Sequence, residues 1–239
     1  MSARTLLITL AGPQQAWGSR SRFATRGTER APTRSGVIGL LAAALGLERT
    51  EPLDVFDGLR FGVRIDRAGI VERDFQTART LDGKTSMPLS DRHYLADAVF
   101  VAGLESEDHA LLERLRQALR EPRYPLYLGR RAFPPAGPVQ ARIVEGSLLE
   151  SLSAEPWHGR AGHPPETLEI LVDARPGDRV DLTLSDNPRS FDPRRRRYDW
   201  RDVTAGVVRR SDAPATAPAA SGSARPEHDP FALTSDEEV

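Results

Sequence analysis

The sequence predicts an α+β fold, because stretches with the character of β-strands alternate with helical stretches over residues 1–140. The predicted strands are 5–12, 59–66, 94–104 and 124–139, and the predicted helices are 33–46 and 107–120. A polar insert at 71–93 separates the second strand from the third. This order is the split β-α-β pattern of a ferredoxin-like (RRM-like) domain, a fold that serves RNA recognition among many other functions.

The first strand and the helix after it have the clearest patterns. "TLLITLAG" (5–12) is mostly apolar, which predicts a strand buried on both faces. Thr33 is the predicted N-cap of the helix. Gly36 and Gly39 lower its helix propensity, so we expect another part of the chain to approach the helix closely there.

The insert and the second helix follow. A loop as long as 71–93 inside a domain is usually functional or disordered. The helix at 107–120 is predicted to be amphipathic, with one apolar stripe formed by Leu111, Leu112, Leu115 and Leu119.

The rest of the chain is predicted to form a smaller β-rich unit and a tail. In residues 166–186, apolar and polar residues alternate in two stretches, which predicts two strands joined by a Pro-Gly-Asp turn. A run of arginines and aromatic residues follows them. From Ser211 onward alanine, proline, serine and acidic residues dominate, which predicts disorder. We therefore predict a ferredoxin-like domain over 1–143, a small β-rich subdomain over 144–210 and a disordered acidic tail over 211–239.

The balanced net charge of −1 conceals an asymmetry. Residues 211–239 hold six of the 34 acidic residues but only one of the 33 basic residues, which leaves 28 acidic and 32 basic residues in the body. All of these bases except Lys84 are arginines, the side chain best suited to bidentate contacts with phosphate. A genome rich in G and C would produce the same bias without a functional cause.

Composition and spacing exclude several classes of function. The chain has no cysteine, so disulfides, thiolate metal sites and a cysteine nucleophile are excluded. No apolar stretch approaches the roughly 18 to 20 residues of a membrane helix, and we expect a cytoplasmic protein with no membrane partner. The five histidines lack metal-ligand spacing and no nucleotide-binding glycine motif occurs, so no metal or cofactor is expected.

The start of the first helix is a candidate anion site. The first turn of a helix has unpaired N–H groups and a positive dipole end, and here Arg34 and Ser35 follow the capping Thr33. A phosphate is the natural ligand. The alternative is that Thr33 only caps the helix and Arg34 is a solvated side chain.

Two further segments combine positive charge with aromatic rings, which suits the phosphates and bases of single-stranded RNA. "YLGRRAF" contains Tyr127, Arg130 and Arg131, with Gly129 allowing the backbone to approach a ligand. The insert carries Arg73, Arg79, Lys84, Arg92, Phe75, His93 and Tyr94. The alternatives are an edge strand with outward charges and an unstructured surface loop.

The candidates for catalysis are few. His93 and Tyr94 with Lys84 are the residues that could support metal-free RNA cleavage by general acid and base action. A neighbouring histidine and tyrosine arise often by chance, so we expect no enzymatic activity.

Four motifs together identify a family resemblance over residues 1 to about 140. They are "LAGPQQAWG" (10–18), "PTRSGVIGLLAAALG" (32–46), "RHYLADAVFVAGL" (92–104) and "PRYPLYLGRRAFPPAGPV" (122–139). In this order they resemble the CasD family, subunits of the type I-E CRISPR surveillance complex Cascade and members of the superfamily of repeat-associated mysterious proteins. "RSFDPRRRRYDW" (189–200) is similar to the end of the family's small β subdomain.

The resemblance implies a non-catalytic, antiviral ribonucleoprotein subunit that caps the foot of Cascade and binds the 5′ handle of the CRISPR RNA (crRNA). Its inserted β-hairpin, the thumb, would be about 71–95 and would pack against the adjacent backbone subunit. The large subunit at the foot is a further implied partner, and the arginines also permit contact with target DNA. Relatives in type I-C systems cut precursor crRNA, so a metal-independent endoribonuclease is the alternative.

The motifs also carry implied RNA contacts. The implied contact residues are Gln15, Trp17, Thr33, Arg34, Ser35, Arg79, Lys84, Arg92, Tyr94, Tyr127, Gly129, Arg130 and Arg131. Gln15 and Trp17 would either meet the RNA or stabilise the loop after the first strand. The acidic tail has no counterpart in the family, and its charge of −5 suggests that it screens the basic surface before RNA binds.

Overall fold

A computed structural model describes residues 3–18, 25–159 and 165–210. The strands are β1 (Arg4–Ala11), β2 (Gln14–Gln15), β3 (Thr25–Arg26), β4 (Arg60–Arg67), β5 (Ile70–Gln76), β6 (Ser90–Ala96), β7 (Val99–Ser106), β8 (Gln140–Glu145), β9 (Thr167–Asp173), β10 (Leu182–Ser190) and β11 (Arg197–Arg209). The helices are α1 (Arg34–Leu45), α2 (His109–Arg120) and α3 (Leu148–Ala154), with a single 3-10 turn at Asp54–Phe56. The predicted acidic tail lies outside the described residues.

The described strands form one large sheet and one small one. The large sheet has seven strands in the order β10-β11-β9-β4-β7-β1-β8, and every neighbouring pair in it is antiparallel. In the small sheet, β6 pairs with β5, β2 and β3. The molecule is therefore a mixed α/β protein with a mostly antiparallel sheet and few helices.

The strand β1 is covered on both faces, as its apolar sequence predicts. Leu6, Ile8 and Leu10 lie in the main core with α1 and α2. Leu7 points to the other face, where it packs with Leu148 of α3. Alternate side chains of a strand point to opposite faces, so covering both faces requires apolar residues at every position.

Both predicted long helices form, the first with its predicted cap and the second with its predicted apolar stripe. The Thr33 side chain accepts the N–H of Gly36 at the start of α1. A Cβ at Gly36 would lie 2.7 Å from Cε3 of Trp17, which confirms the close approach predicted there, whereas one at Gly39 would meet only Phe191 at 3.8 Å. In α2, Leu112, Leu115 and Leu119 are fully buried and Leu111 packs against the same core.

Two strand predictions are wrong, and a third is confirmed only in part. The predicted strand 94–104 is two strands, because Asp97 adopts a left-handed conformation (φ 57°) between β6 and β7. Residues 124–139 form no strand, since four prolines and Gly129 break the segment. The two strands predicted within 166–186 do form, but they are not partners, because β11 lies between β9 and β10.

The C-terminal strands extend the large sheet rather than forming a sheet of their own. β9 pairs with β4 through the register Gly62↔Val172 to Ile65↔Glu169, and β11 and β10 follow outward. The division of the chain between 143 and 144 stays a prediction. Among the described residues, no helix combines the length and the apolar character that a membrane span requires.

Candidate nucleic-acid interface

The predicted insert contains an antiparallel β-hairpin formed by β5 and β6, with Ile70 opposite Ala96 and Gln76 opposite Ser90. The other edge of β6 pairs with β2 and β3, so segments far apart in sequence meet at the base of the hairpin. The loop 126–135 joins them through the backbone, where the Ala16 N–H donates to the Leu128 carbonyl at 3.0 Å. This junction brings together residues from several of the segments selected by sequence.

Gly129 makes the junction possible. Its φ is +91°, in the left-handed region, and a Cβ at this position would lie 1.7 Å from the carbonyl oxygen of Ala16. The sequence prediction that Gly129 admits a ligand is corrected here, because the close approach is to the chain's own backbone. Its effect is to position the next residue, Arg130.

Three arginines converge at this junction, and we call Arg26, Arg92 and Arg130 the hairpin-base cluster. Arg130 Nη2 donates to the backbone carbonyls of His93 (2.9 Å) and Arg26 (3.2 Å). Arg26 and Arg92 lie opposite each other in the pairing of β3 with β6. None of the three guanidinium groups forms an ion pair with a described carboxylate.

The electrostatics of the cluster follow from this arrangement. Partial burial, together with repulsion from Arg92 and Arg26, lowers the pKa of Arg130, and Asp74 offsets this only in part. The like charges remain, because an arginine stays protonated under physiological conditions. An anion bound near the three guanidinium groups would relieve the repulsion, and phosphate is an anion that guanidinium groups bind well.

Aromatic rings lie beside the cluster. The ring centroids of Tyr94 and Phe133 are 5.5 Å apart at an interplanar angle of 54°, and the Arg130 guanidinium lies 5.6 Å from the Phe133 ring. The Tyr94 hydroxyl donates to Glu72 at 2.7 Å, and this hydrogen bond raises the pKa of Tyr94. Phe133 is buried (7% exposed), so Tyr94 supplies the partly exposed ring beside the arginines and Phe133 packs against it.

The start of α1 does not provide the predicted phosphate site. The backbone N–H of Arg34 already donates to the Asp186 carboxylate at 2.8 Å. The Arg34 side chain is 10% exposed and forms an ion pair with Asp173 at 3.0 Å. Burial lowers the pKa of Arg34, and the Asp173 carboxylate counteracts this. The anion at this helix start is thus a carboxylate of the protein.

Arg201 completes what we call the helix-start network, formed by Arg34, Asp173, Asp186 and Arg201. Its guanidinium donates to Asp173 at 2.7 Å and to both carboxylate oxygens of Asp186, at 2.9 and 2.8 Å. Burial alone would lower the pKa of Arg201, but the bonds to Asp186 and Asp173 raise it overall. The network fastens β9, β10 and β11 to α1.

Gln15 and Trp17 stabilise the loop after β1, which is the second of the two predicted roles. Gln15 is fully buried, and its amide donates to the carbonyls of Leu10 and Ala98 at 3.2 and 2.8 Å. The Trp17 indole N–H donates to the Gln15 side chain at 3.1 Å, and Trp17 is 1% exposed. Neither side chain presents a surface to RNA.

The other predicted contact residues are dispersed. Thr33 is buried as the N-cap, and its hydroxyl lies 3.4 Å from that of Ser35. Tyr127 is partly buried and Arg131 is exposed beside Arg130. Arg79 and Lys84 are exposed near the hairpin tip, where Arg79 pairs with Ser86.

The residues considered for catalysis are not assembled. His93 and Tyr94 are successive residues of β6, so their side chains point to opposite faces of the strand. Lys84 lies on the order of 20 Å from them along the hairpin, at about 3.3 Å per residue. No group of three or more His, Asp or Glu side chains in the described part of the chain could hold a metal ion.

Sequence reasoning missed Arg26 and underrated Phe133. Arg26 lies in a polar loop without a recognisable pattern, and only the pairing of β3 with β6 brings it to Arg92. Phe133 was noted as part of an aromatic and basic segment but not placed among the contact residues. The sequence signal for Phe133 was its place in "YLGRRAF", three residues after Arg130.

Comparison with known proteins places the chain among CRISPR-associated proteins. The profile of a family described as CRISPR-associated protein (Cas_Cas5) matches residues 5–204. The CRISPR system Cascade subunit CasD of Escherichia coli (strain K12) is 36% identical over 153 residues, which cover 56% of this chain and 68% of the relative.

Two solved structures of CRISPR-associated proteins are also similar to this chain. One, described as "Crystal structure of Cas protein", has a TM-score of 0.72 and 40% identity, over 90% of this chain and 100% of that chain. Another, described as "CRISPR RNA-guided surveillance complex", has a TM-score of 0.72 and 34% identity, over 86% and 90% of the two chains.

Proposed function

This chain belongs to the CRISPR-associated protein (Cas_Cas5) family, and from that membership we propose that it is a CasD-like, non-catalytic subunit of a type I-E Cascade complex. In this role it binds and caps the 5′ handle of the crRNA. The similarity to a chain of an RNA-guided surveillance complex supports this assignment.

The hairpin-base cluster carries the proposal. Arg26, Arg92 and Arg130 offer three guanidinium groups without a described carboxylate partner, next to the partly exposed ring of Tyr94, which packs against the buried Phe133. Guanidinium groups bind phosphates, and aromatic rings stack on unpaired bases. A short single-stranded RNA segment presents both groups together.

The scaffold that presents this cluster is a ferredoxin-like domain. Its four strands are β4, β7, β1 and β8, adjacent in that order and antiparallel, with α1 and α2 against the core on one face. This is the strand order expected of a split β-α-β repeat. The hairpin of β5 and β6 is inserted between β4 and β7 and corresponds to the thumb.

The hairpin provides the contact with the adjacent backbone subunit. Its apolar side chains are exposed in the chain by itself: Ile70 (66%), Val71 (62%), Phe75 (53%), Leu81 (111%), Met87 (50%) and Leu89 (55%). A patch of this kind indicates an interaction surface. The large subunit and target DNA remain predicted partners.

The lack of catalysis is part of the proposal, and two features support it. His93 and Tyr94 project from opposite faces of β6, and Lys84 is far along the hairpin. A proton-transfer pair must lie within hydrogen-bond reach of one reacting group, which these three residues do not achieve together.

Binding of handle RNA tests the role of the cluster. We expect Arg92→Gln with Arg130→Gln to weaken binding of a labelled handle RNA at least tenfold. The slope of log affinity against log salt should become shallower by about 1.4, at about 0.7 per phosphate contact. The matched control is Arg114→Gln with Arg120→Gln, which removes two exposed arginines from α2. Equal affinity and slope in the two double variants would contradict the proposal.

A denaturing gel tests the lack of catalysis. Labelled crRNA repeat incubated with the purified protein in EDTA should remain intact. Cleavage at one position would instead identify a metal-independent endoribonuclease, and His93, Tyr94 and Lys84 would be the first residues to substitute.

A further inference from the structure

A second concentration of positive charge lies in the turn between β10 and β11. Arg194, Arg195, Arg196 and Arg197 are consecutive and all exposed. We call these four residues the arginine turn. None of them forms an ion pair with a described carboxylate.

The nearby carboxylates have other partners. Asp192 accepts the backbone N–H of Arg194 at 2.8 Å and so shapes the turn. Asp199 accepts from Arg189 at 2.6 Å. The charge of the arginine turn is therefore left available to an external anion.

Aromatic side chains continue from the turn along one face of β11. Arg201 points inward, to Asp173 and Asp186, so Tyr198 and Trp200 lie on the opposite face of the strand. Trp200 is 65% exposed and Tyr198 is 38% exposed. Both rings are therefore accessible to solvent beside the arginine turn.

The arginine turn is remote from the hairpin-base cluster. β11 is 13 residues long, about 43 Å at 3.3 Å per residue. Its far end pairs Arg209 with Thr167, at the end of the sheet where β4 leads into the hairpin. One short RNA handle bound at the hairpin base therefore does not account for the arginine turn.

We propose that the arginine turn and Trp200 form a second nucleic-acid site, which binds single-stranded nucleic acid other than the handle. Four consecutive guanidinium groups match successive phosphates of a backbone. An exposed indole stacks on an unpaired base, which a duplex does not offer. The combination therefore selects a single strand.

The intrinsic fluorescence of the full-length chain tests the proposal. The probe is an oligothymidylate of about 12 nucleotides, a length within the usual site sizes of single-strand-binding surfaces. Of the three tryptophans, Trp17 is buried, Trp157 is partly buried and Trp200 is exposed. We expect the probe to quench the fluorescence, and Trp200→Phe to remove the quenching.

Charge variants complete the test. Arg194→Gln, Arg195→Gln and Arg196→Gln together should weaken binding of the probe at least tenfold and make the salt slope shallower by about 2, at about 0.7 per contact. The matched control is Arg49→Gln, Arg114→Gln and Arg120→Gln, which removes three exposed arginines elsewhere. It should bind the probe like the unsubstituted protein.

The outcomes separate this site from the handle site. Quenching that persists in Arg92→Gln with Arg130→Gln but is lost in the arginine-turn variant supports the second site, whether or not handle binding is confirmed. Absence of quenching, equal binding by the arginine-turn and control variants, or loss of binding only in the Arg92 and Arg130 variant would overturn it.

Discussion

The helix-start network and the hairpin-base cluster both contain arginines, but only the network pairs them with carboxylates. In the network, Arg34 and Arg201 are matched by Asp173 and Asp186, and all four side chains are largely buried. In the cluster, Arg26, Arg92 and Arg130 are partly exposed, and no described carboxylate pairs with them. Arginines alone therefore do not mark a phosphate site. What matters is whether the fold supplies the counterion.

The difference has an energetic basis. A buried guanidinium without a partner is costly, so burial of Arg34 and Arg201 requires carboxylates at hydrogen-bond distance. A partly exposed guanidinium keeps part of its hydration and tolerates the absence of a partner until an anion binds. The network thus contributes to stability and the cluster to binding, and four substitutions test this division.

The largest effect is expected for Asp186→Ala. This change removes the acceptor of the Arg34 N–H and leaves the buried Arg201 with Asp173 alone. We expect a loss of about 3 to 4 kcal/mol, in the lower part of the range for breaking a buried charge pair. Urea denaturation of the two proteins measures the difference. Handle affinity at a temperature where both are folded should be unchanged, and a large loss of affinity there would contradict the division.

The next effect concerns Gly129→Ala. The added Cβ would meet the Ala16 carbonyl in a left-handed backbone conformation, so we expect a loss of stability of about 2 to 3 kcal/mol and weaker handle binding through displacement of Arg130. Gly58→Ala is the control, since Gly58 also has a positive φ (78°) but no atom near the added Cβ. It should cost about 1 kcal/mol and leave binding unchanged. Similar losses in both variants would argue against the packing role of Gly129.

A smaller effect is expected for Arg130→Lys. In Arg130, Nη2 bonds to His93 and Arg26, and the remaining N–H groups can bind phosphate; lysine keeps the charge but lacks this second set of donors. Handle affinity should therefore fall about three- to tenfold while the salt slope stays the same. Titrations at several salt concentrations measure both quantities. If affinity is fully retained, charge alone suffices and the geometry of the cluster is irrelevant.

The smallest effect is expected for Tyr94→Phe. The ring next to Phe133 is kept and only the exposed hydrogen bond to Glu72 is lost, so handle affinity should change less than about twofold. Because that hydrogen bond raises the pKa of Tyr94, the hydroxyl ionises less readily than that of a free tyrosine, and binding should not depend on its ionisation. Isothermal titration at pH 7 and pH 9.5 checks both statements, and a larger loss would assign the hydroxyl itself to RNA recognition.

Local patterns were enough to predict part of the fold. The apolar run of β1, the Thr33 cap of α1 and the leucine stripe of α2 are properties of neighbouring residues. Residues 124–139 were predicted wrongly because their backbone hydrogen bonds go to scattered loops, such as Ala16 with Leu128. The pairing of β11 between β9 and β10 is likewise a long-range choice.

The candidate site, too, depends on long-range contacts that the sequence alone did not predict. Sequence reasoning selected Arg92, Tyr94 and Arg130, and these do lie together, but it could not supply Arg26. It misread Arg34 because the carboxylate that occupies the helix start belongs to Asp186, 152 residues away along the chain. Whether the acidic tail screens the basic surface stays a prediction.

By itself, the sequence determined β1, α1 and α2, since apolar patterns and caps act between near neighbours. It also determined where arginines and aromatic rings are concentrated. Only the tertiary structure decided which arginines are neutralised and which stay open to an anion. That outcome depends on contacts between segments far apart in the chain, such as Asp186 with Arg201 and β3 with β6, and on the burial that makes a counterion obligatory.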